Sequence, residues 1–259
     1  MFHTANAFEE AAPFEAGVSG AGAGAGAGAC GIGNGRGEVV VHACRIGQLD
    51  LFNMTGSASD LDNELYEWRF DLATGATREG PVVPADRNGG ARVQGDFPQV
   101  NPRFLGRRHR YVYVATFSRE NNAKFDGVVK VDARERRVVG EIRYGPGRMG
   151  GECLFVERAR SAGGTGAEDD GYLVGFVHDE RSGASQFWVM CARTMRPEPL
   201  ARVALPRRVP YGFHALFVPE ARLRAAERAH AARRAAAARG STVGVQAAPV
   251  AAAAARSKL

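Results

Sequence analysis

The sequence has few cysteines, and none of them forms a close pair. Its four thiols, Cys30, Cys44, Cys153 and Cys191, include no C-x-x-C spacing, which is the arrangement that structural zinc sites and dithiol redox sites use. We therefore expect buried free thiols in a reducing compartment.

Long apolar runs and a secretory leader are also missing. No stretch approaches the roughly 18–20 apolar residues that a helix needs to span a bilayer, and the opening MFHTANAFEE lacks the basic and apolar regions of a signal peptide. Hydrophobic residues make up 45% and charged residues 24% of the 259 positions. This composition is typical of a soluble globular protein with a sizeable core.

The sequence lacks excess positive charge except in its last part. The net charge is +6, and the seven Arg, one Lys and two Glu between Pro219 and Leu259 account for all of it. The preceding residues are formally neutral, so they lack the basic surface that nucleic-acid binding requires. We expect no nucleic-acid partner.

Two segments have low complexity, and they define the domain organisation. Residues 16–37 are rich in Gly and Ala; the dinucleotide pattern G-x-G-x-x-G counted from Gly31 fails because position 36 is Arg36. We interpret residues 16–37 as a flexible insertion in a folded domain of residues 1–218. Residues 219–259 form an Ala- and Arg-rich tail, predicted to be helical at first and disordered after Gly240.

Short strands fill the rest of the sequence. Segments such as EVVVHACRI, LYEWRFDL, RYVYVATF, GVVKVDA and GYLVGFVHDE are rich in β-branched and aromatic residues and are bounded by turn residues. Three strand–turn–strand units are similar, and their equivalent positions Asp71, Asp132 and Ala192 lie 61 and 60 residues apart. A period near 60 favours an all-β propeller. A β-sandwich with similar hairpins is the alternative.

Several ordered motifs resemble one known family. The segments FHTANAFEE, EVVVHACRI, NELYEWRFDLATG, DFPQVNPRFLGRRHRYVYV, GGECLFVERA, EDDGYLVGFVHDE and RRVPYGFHALFV resemble the C-terminal half of a carotenoid cleavage dioxygenase. They are closest to the plant-type branch that cleaves 9,10 and 9′,10′ double bonds. The resemblance implies a seven-bladed β-propeller, of which this chain supplies roughly the C-terminal half of the blades.

The resemblance also implies a metal site. Family members hold Fe(II) with four histidines, and two of these correspond to His3 and His214. Carboxylates that orient the histidines correspond to Asp96 and Glu152; Asp96 is shorter than the glutamate that many relatives carry. Imidazole is a good ligand for iron, and a carboxylate on its other ring nitrogen fixes its orientation.

The implied activity is a non-haem Fe(II) dioxygenase. It would use O₂ to cleave a C=C bond of a carotenoid or apocarotenoid into two carbonyl products. Phe8, Phe97 and Phe213 flank the motif positions and are candidates for lining a substrate tunnel; ordinary core packing is their alternative role. The other histidines are not expected to be ligands: His42 is interpreted as a structural strand residue and His178 as a landmark at the end of an apolar strand, while His109 lies in the charged turn GRRHR and His230 in the tail helix.

The chain departs from the family in one large respect. The first two iron histidines lie in the N-terminal half of family members, so we expect a truncated form that needs the missing N-terminal half to complete its site. The alternative is a non-catalytic propeller remnant that binds a carotenoid or a protein partner. A lipid-dissolved substrate would also imply peripheral membrane contact.

The sequence ends in a short targeting pattern. The terminal Ser257-Lys258-Leu259 matches a peroxisomal address, which predicts a peroxisomal location. Cytosolic and plastid locations are the alternatives.

Overall fold

The computed structural model describes residues 3–11, 37–47, 63–118, 124–211 and 214–240. Five sequence predictions fall wholly or almost wholly outside these ranges: the flexible insertion at 16–37, the state of Cys30, the role of Phe213, the disorder after Gly240 and the targeting pattern at 257–259. Among the described cysteines, Cys44 and Cys153 are buried and Cys191 is half-buried, and all three are free thiols.

The described residues form three antiparallel sheets, here called A, B and C in chain order. Sheet A has the order β1-β2-β3-β4, sheet B the order β5-β6-β7-β8, and sheet C the order β10-β11-β12-β13 with the short β9 paired to β11. The bounds are β1 Thr4–Ala11, β2 Gly37–Ile46, β3 Asn63–Asp71, β4 Thr77–Pro81, β5 Gly95–Gln99, β6 Tyr111–Phe117, β7 Phe125–Asp132, β8 Arg137–Arg143, β9 Arg148–Met149, β10 Leu154–Glu157, β11 Gly171–Asp179, β12 Ala184–Cys191 and β13 Ala201–Ala204.

The repeat seen in the sequence corresponds to one position in each sheet. Asp71 ends β3 and Asp132 ends β7, while Ala192 directly follows β12; these three strands are the third in their sheets. Asp71 and Asp132 each accept hydrogen bonds from two backbone N–H groups of the following turn. An Asp side chain that bonds the backbone two or three residues ahead mimics a backbone turn, which explains why the residue recurs there.

The sheets are held together by two apolar layers. One lies between sheets A and B and the other between sheets B and C, so each sheet face that meets a neighbour is buried. The first layer is rich in valine because β-branched side chains pack well on a pleated surface; its members include Cys44, Leu65, Val100, Val112, Val114 and Val131. The second is more aromatic and includes Tyr113, Tyr144, Phe155, Leu173, Trp188 and Met190.

A separate unit begins at Leu216. It contains helix α1, Glu220–Gly240, within the segment for which the sequence predicts a helix. None of the helices in the described ranges has both the length and the apolar character needed to cross a bilayer.

Candidate metal centre

His3 lies immediately before β1 and is anchored through its backbone. The Cys44 N–H of β2 donates to the His3 carbonyl at 2.8 Å. The pairing of β1 with β2 shifts register between Thr4 and Asn6. A bulge of this kind bends a strand and changes the direction of a side chain, so the strand is locally irregular at the point where it presents the histidine.

Asp96 lies in a second irregular strand, β5. A side chain at the preceding Gly95 would place its Cβ 2.1 Å from the Ala115 carbonyl oxygen, so only glycine allows this close approach. Phe97 has a φ of 52°, and the pairing of β5 with β6 shifts register between Asp96 and Gln99. Strained backbone of this kind persists where the surrounding structure enforces it and is concentrated at functional sites.

The carboxylate of Asp96 faces the ring of His3. His3 Nδ1 lies 2.9 Å from Asp96 Oδ2, and Asp96 Oδ1 accepts the Phe97 N–H at 2.8 Å. Burial and the adjacent Asp96 charge raise the pKa of the Cys44 thiol well above its ordinary value. The thiol therefore stays protonated and donates to the same carboxylate.

Glu152 lies beside the second predicted ligand, His214, whose side chain is 65% exposed. His214 Nδ1 lies 3.6 Å from Glu152 Oε2. Glu152 Oε2 also accepts the Ala215 N–H at 2.7 Å, and its Oε1 accepts Gln99 Nε2 at 2.7 Å. The carboxylate is therefore fixed from sheet B by Gln99 and in turn fixes the segment that carries His214.

The structure brings all four predicted site residues together. The rings of His3 and His214 are 4.9 Å apart between centroids and nearly perpendicular, and Phe97 packs against both, at 4.9 and 5.6 Å. In each ring Nδ1 faces a carboxylate, which makes Nε2 the nitrogen that would bind a metal. Within the described ranges no group of three or more His, Cys, Asp or Glu side chains is arranged to hold a metal ion.

A cavity opens beside His214 and Glu152. Its volume is about 290 Å³, and its wall is mainly apolar, with Phe176, Val177 and Tyr211 among the lining residues. His178 also lines it and bonds Ser185 Oγ at 3.0 Å. An apolar cavity next to a few fixed polar groups is the usual form of a small-molecule site.

Phe8 lies elsewhere, against the rings of His42 and His109 at 6.0 and 5.3 Å. This is the core-packing role that the sequence left open for Phe8. Both histidines are buried, His42 in β2 and His109 in the loop before β6. Sequence reasoning placed His109 in a charged turn and missed its burial, because the arginines around it mask a single inward-facing residue.

Both ring nitrogens of His42 and His109 have protein partners. His42 Nε2 lies 2.9 Å from Glu67 Oε2, and His42 Nδ1 lies 3.0 Å from His109 Nε2. His109 Nδ1 in turn lies 3.0 Å from Asn6 Nδ2. These two histidines are therefore structural, as expected of His42.

Comparison with known proteins gives a family match over most of the chain. The profile of the family described as "RPE65: Retinal pigment epithelial membrane protein" matches residues 1–219. A carotenoid 9,10(9′,10′)-cleavage dioxygenase from Crocus sativus is 36% identical over 239 residues, 86% of this chain and 37% of the relative. An enzyme with that name, numbered 1, from Phaseolus vulgaris is 39% identical over 202 residues, 72% of this chain and 35% of the relative.

Solved structures give the same fold. Cobalt-substituted Synechocystis ACO superposes with a TM-score of 0.62 at 24% identity, covering 84% of this chain and 39% of that one. A D477G ACO/RPE65 chimera gives a TM-score of 0.61 at 23% identity, covering 82% of this chain and 38% of the chimera. The all-β propeller prediction is confirmed, and sheets A, B and C are three of its blades.

The chain matches only part of the length of its relatives. The chain spans 37% and 35% of the two curated relatives. Its match nevertheless covers both histidine motifs and both carboxylate motifs. The chain belongs to the RPE65 (retinal pigment epithelial membrane protein) family, which is the carotenoid oxygenase family that its sequence motifs indicated.

Proposed function

We propose that this chain supplies His3 and His214 to a non-haem Fe(II) centre that cleaves a C=C bond of a carotenoid or apocarotenoid with O₂. The observation that carries the proposal is the pair of imidazoles 4.9 Å apart, each with Nδ1 toward its own carboxylate. The resemblance implies four imidazoles in the complete centre, and the remaining two belong to the rest of the propeller.

The side chains fit the iron that the family implies. Imidazole suits iron, and it binds in its neutral form. Asp96 and Glu152 each lie beside Nδ1 of one ring, at 2.9 and 3.6 Å. A carboxylate bonded to that nitrogen orients a ligand ring and raises the basicity of Nε2. When bound, Fe(II) would supply the site at which O₂ is activated.

Both carboxylates are themselves held, which keeps the two rings in place. Asp96 is held by the Phe97 N–H, and Glu152 by Gln99 and the Ala215 N–H. Phe97 packs its ring against both imidazoles and is only 3% exposed. Its ring therefore excludes water from one side of the pair.

The surroundings suit an apolar substrate. The cavity beside His214 is lined largely by carbon, and the relatives from Crocus and Phaseolus are named as carotenoid 9,10(9′,10′)-cleavage dioxygenases. We therefore propose a carotenoid or apocarotenoid as the substrate and O₂ as the second reactant. Both oxygen atoms would be found in the products, one on each carbonyl fragment.

The test uses the native protein, purified without added metal. We expect about one iron per chain and, in ¹⁸O₂, label in both carbonyl fragments of a carotenoid substrate. His214→Gln should lose iron and turnover, and His230→Gln, a histidine substitution in the separate helix α1, should change neither.

Two results would decide against this function. Retention of iron by His214→Gln would remove His214 from the centre. An iron-free native protein that binds a carotenoid without cleaving it would instead support the non-catalytic binding role.

A further inference from the structure

A row of buried polar side chains crosses sheet A. Asn6, His42 and Glu67 are direct cross-strand neighbours on β1, β2 and β3, and His109 inserts between Asn6 and His42 from the loop before β6. Each is less than a tenth exposed. We call these four residues the polar row.

The hydrogen bonds of Asn6 fix the orientation of its amide. Asn6 Oδ1 accepts the Gly106 N–H at 2.9 Å, and Nδ2 donates to the carbonyls of Phe104 and Arg107, both at 2.9 Å. An amide nitrogen only donates and an amide oxygen only accepts, so these contacts fix which end of the amide is nitrogen. The nitrogen end also lies 3.0 Å from His109 Nδ1.

The two histidines connect Asn6 to the carboxylate of Glu67. His109 Nε2 lies 3.0 Å from His42 Nδ1, and His42 Nε2 lies 2.9 Å from Glu67 Oε2. Burial, with His42 alongside, lowers the pKa of His109 to about 3, which keeps the ring neutral. The polar row is therefore a continuous series of contacts from Asn6 to the Glu67 carboxylate.

The negative end of the polar row is compensated by two arginines. Arg69 Nε lies 3.0 Å and Arg136 Nη1 lies 3.2 Å from Glu67 Oε1. Arg136 comes from the turn between β7 and β8 in sheet B, and it also donates to the Pro81 carbonyl of sheet A at 2.7 Å. The Glu67 end therefore ties sheet A to sheet B.

The Asn6 end ties the same two sheets at a second point. Asn6 belongs to β1 and bonds three backbone groups of the loop that leads into β6. It lies three residues from His3, while Asp96 lies on β5 of sheet B. The distance of 2.9 Å between His3 Nδ1 and Asp96 Oδ2 therefore depends on how β1 sits against sheet B.

We infer that the polar row is a positioning device for the metal centre, in which Asn6, His109 and His42 hold β1 so that His3 stays oriented on Asp96. This rests on the proposed function, because it concerns the same imidazole. The three residues touch neither metal nor substrate; they act through the backbone of β1 and the loop at 104–107.

The test compares three substitutions at one position in the full chain. His109→Phe keeps the volume and removes both bonds. His109→Gln keeps an acceptor and a donor at similar spacing and should rescue. The Asn side chain in His109→Asn is polar but too short to bridge both neighbours. This variant replaces His109→Phe in the comparison if the Phe variant does not fold. Tyr113→Phe is the matched control, because it removes a buried bond between sheets B and C, from the Tyr113 hydroxyl to the Ala192 carbonyl at 3.1 Å.

The readout is the ¹⁵N NMR signal of each imidazole nitrogen during titration with Zn²⁺. In the unchanged chain we expect Zn²⁺ to shift Nε2 of His3 and His214. In His109→Phe or His109→Asn, the affinity reported by His3 should fall about tenfold, within the range for outer-shell partners of metal ligands. His109→Gln and Tyr113→Phe should match the unchanged chain.

The outcomes separate this inference from the function on which it rests. If Zn²⁺ shifts neither His3 nor His214 in the unchanged chain, the proposed centre is wrong and the inference is overturned with it. If Zn²⁺ binds the unchanged chain and His109→Phe with equal affinity, only the inference is overturned, and the polar row serves stability alone.

Discussion

Two pairs of histidines in this chain have almost the same geometry and different chemistry. His3 and His214 lie 4.9 Å apart between ring centroids at 79°, and His42 and His109 lie 4.9 Å apart at 87°. In the first pair each ring faces its own carboxylate through Nδ1. In the second pair the rings bond each other, and only His42 reaches a carboxylate, that of Glu67.

The difference shows that ring proximity alone does not identify a metal site. His42 and His109 use all four ring nitrogens within the protein, so neither can bind a metal without breaking a buried hydrogen bond. In His3 and His214, Nδ1 faces a carboxylate, and Nε2 is the nitrogen that we propose binds the metal. The structural pair and the candidate ligands therefore differ in which ring nitrogens contact other protein groups.

The largest effect should come from the candidate ligands. His3→Gln in the native protein should reduce bound iron and carotenoid cleavage to background, since removal of a ligand opens the coordination shell. Metal analysis and product chromatography measure both. A His3→Gln variant that keeps its iron would place the centre elsewhere.

The carboxylates should matter less than the ligands. Asp96→Asn and Glu152→Gln keep the shape of each side chain and remove the charge that faces Nδ1, so metal affinity or activity should fall about 10–100-fold. Competition with a chelator measures the affinity. Glu157→Gln, which disturbs the surface pair with Arg103, is the matched control and should leave the affinity unchanged.

The structural pair should control folding stability. His109→Phe leaves His42 Nδ1 without its partner, while Asn6 Nδ2 keeps its two carbonyl acceptors. An unsatisfied buried polar group costs about 1–3 kcal/mol, so we expect the free energy of unfolding to fall by an amount in this range in denaturant titrations. A variant as stable as the unchanged chain would mean that the polar row adds no net stability.

The same pair should make stability depend on pH. The pKa of His109 is lowered from 6.5 to about 3 in the folded chain, so below pH 6.5 the unfolded state binds the proton more readily. Stability should therefore fall as pH drops from 7 to 5, with His109 contributing up to about 1.4 kcal/mol per pH unit. His109→Gln should remove that contribution, and equal slopes in the two proteins would contradict it.

The carboxyl group of Glu67 also makes folding stability fall as pH falls, but at a lower pH than His109. Although burial acts to raise it, the hydrogen bonds from His42 and Arg69 hold the pKa of the Glu67 carboxyl well below its usual range. Its contribution is present above pH 4.5 and is lost as pH falls below that value. Measurements between pH 7 and 5 therefore separate the contribution of His109 from that of Glu67.

Local sequence signals predicted the regular, apolar strands well and the irregular strands poorly. The apolar strands β2, β3, β6, β7, β11 and β12 follow from their β-branched and aromatic residues, and Asp71 and Asp132 show the repeat because their side chains form the same turn. β4 and β5 carry no such pattern: Thr77–Pro81 is polar, and Gly95–Gln99 combines glycine, proline and a bulge. β5 is nevertheless the strand that carries Asp96.

The site could be predicted in part, because family motifs identify individual residues. The pattern of residues along the chain does not show which side chains contact one another. His3, His214, Asp96 and Glu152 came from motif matches, and the structure brings them together. The polar row was missed because Asn6, His42, Glu67 and His109 are far apart in sequence. Strand register and the position of one loop unite them, and neither is written in local composition.

The most direct test of this account is a Zn²⁺ titration of the chain followed by ¹⁵N NMR of its histidine rings. The account predicts that Nε2 of His3 and Nε2 of His214 shift together, while the signals of His42 and His109 stay unchanged. A response at His42 and His109 with none at His3 and His214 would contradict the assignment of the two pairs.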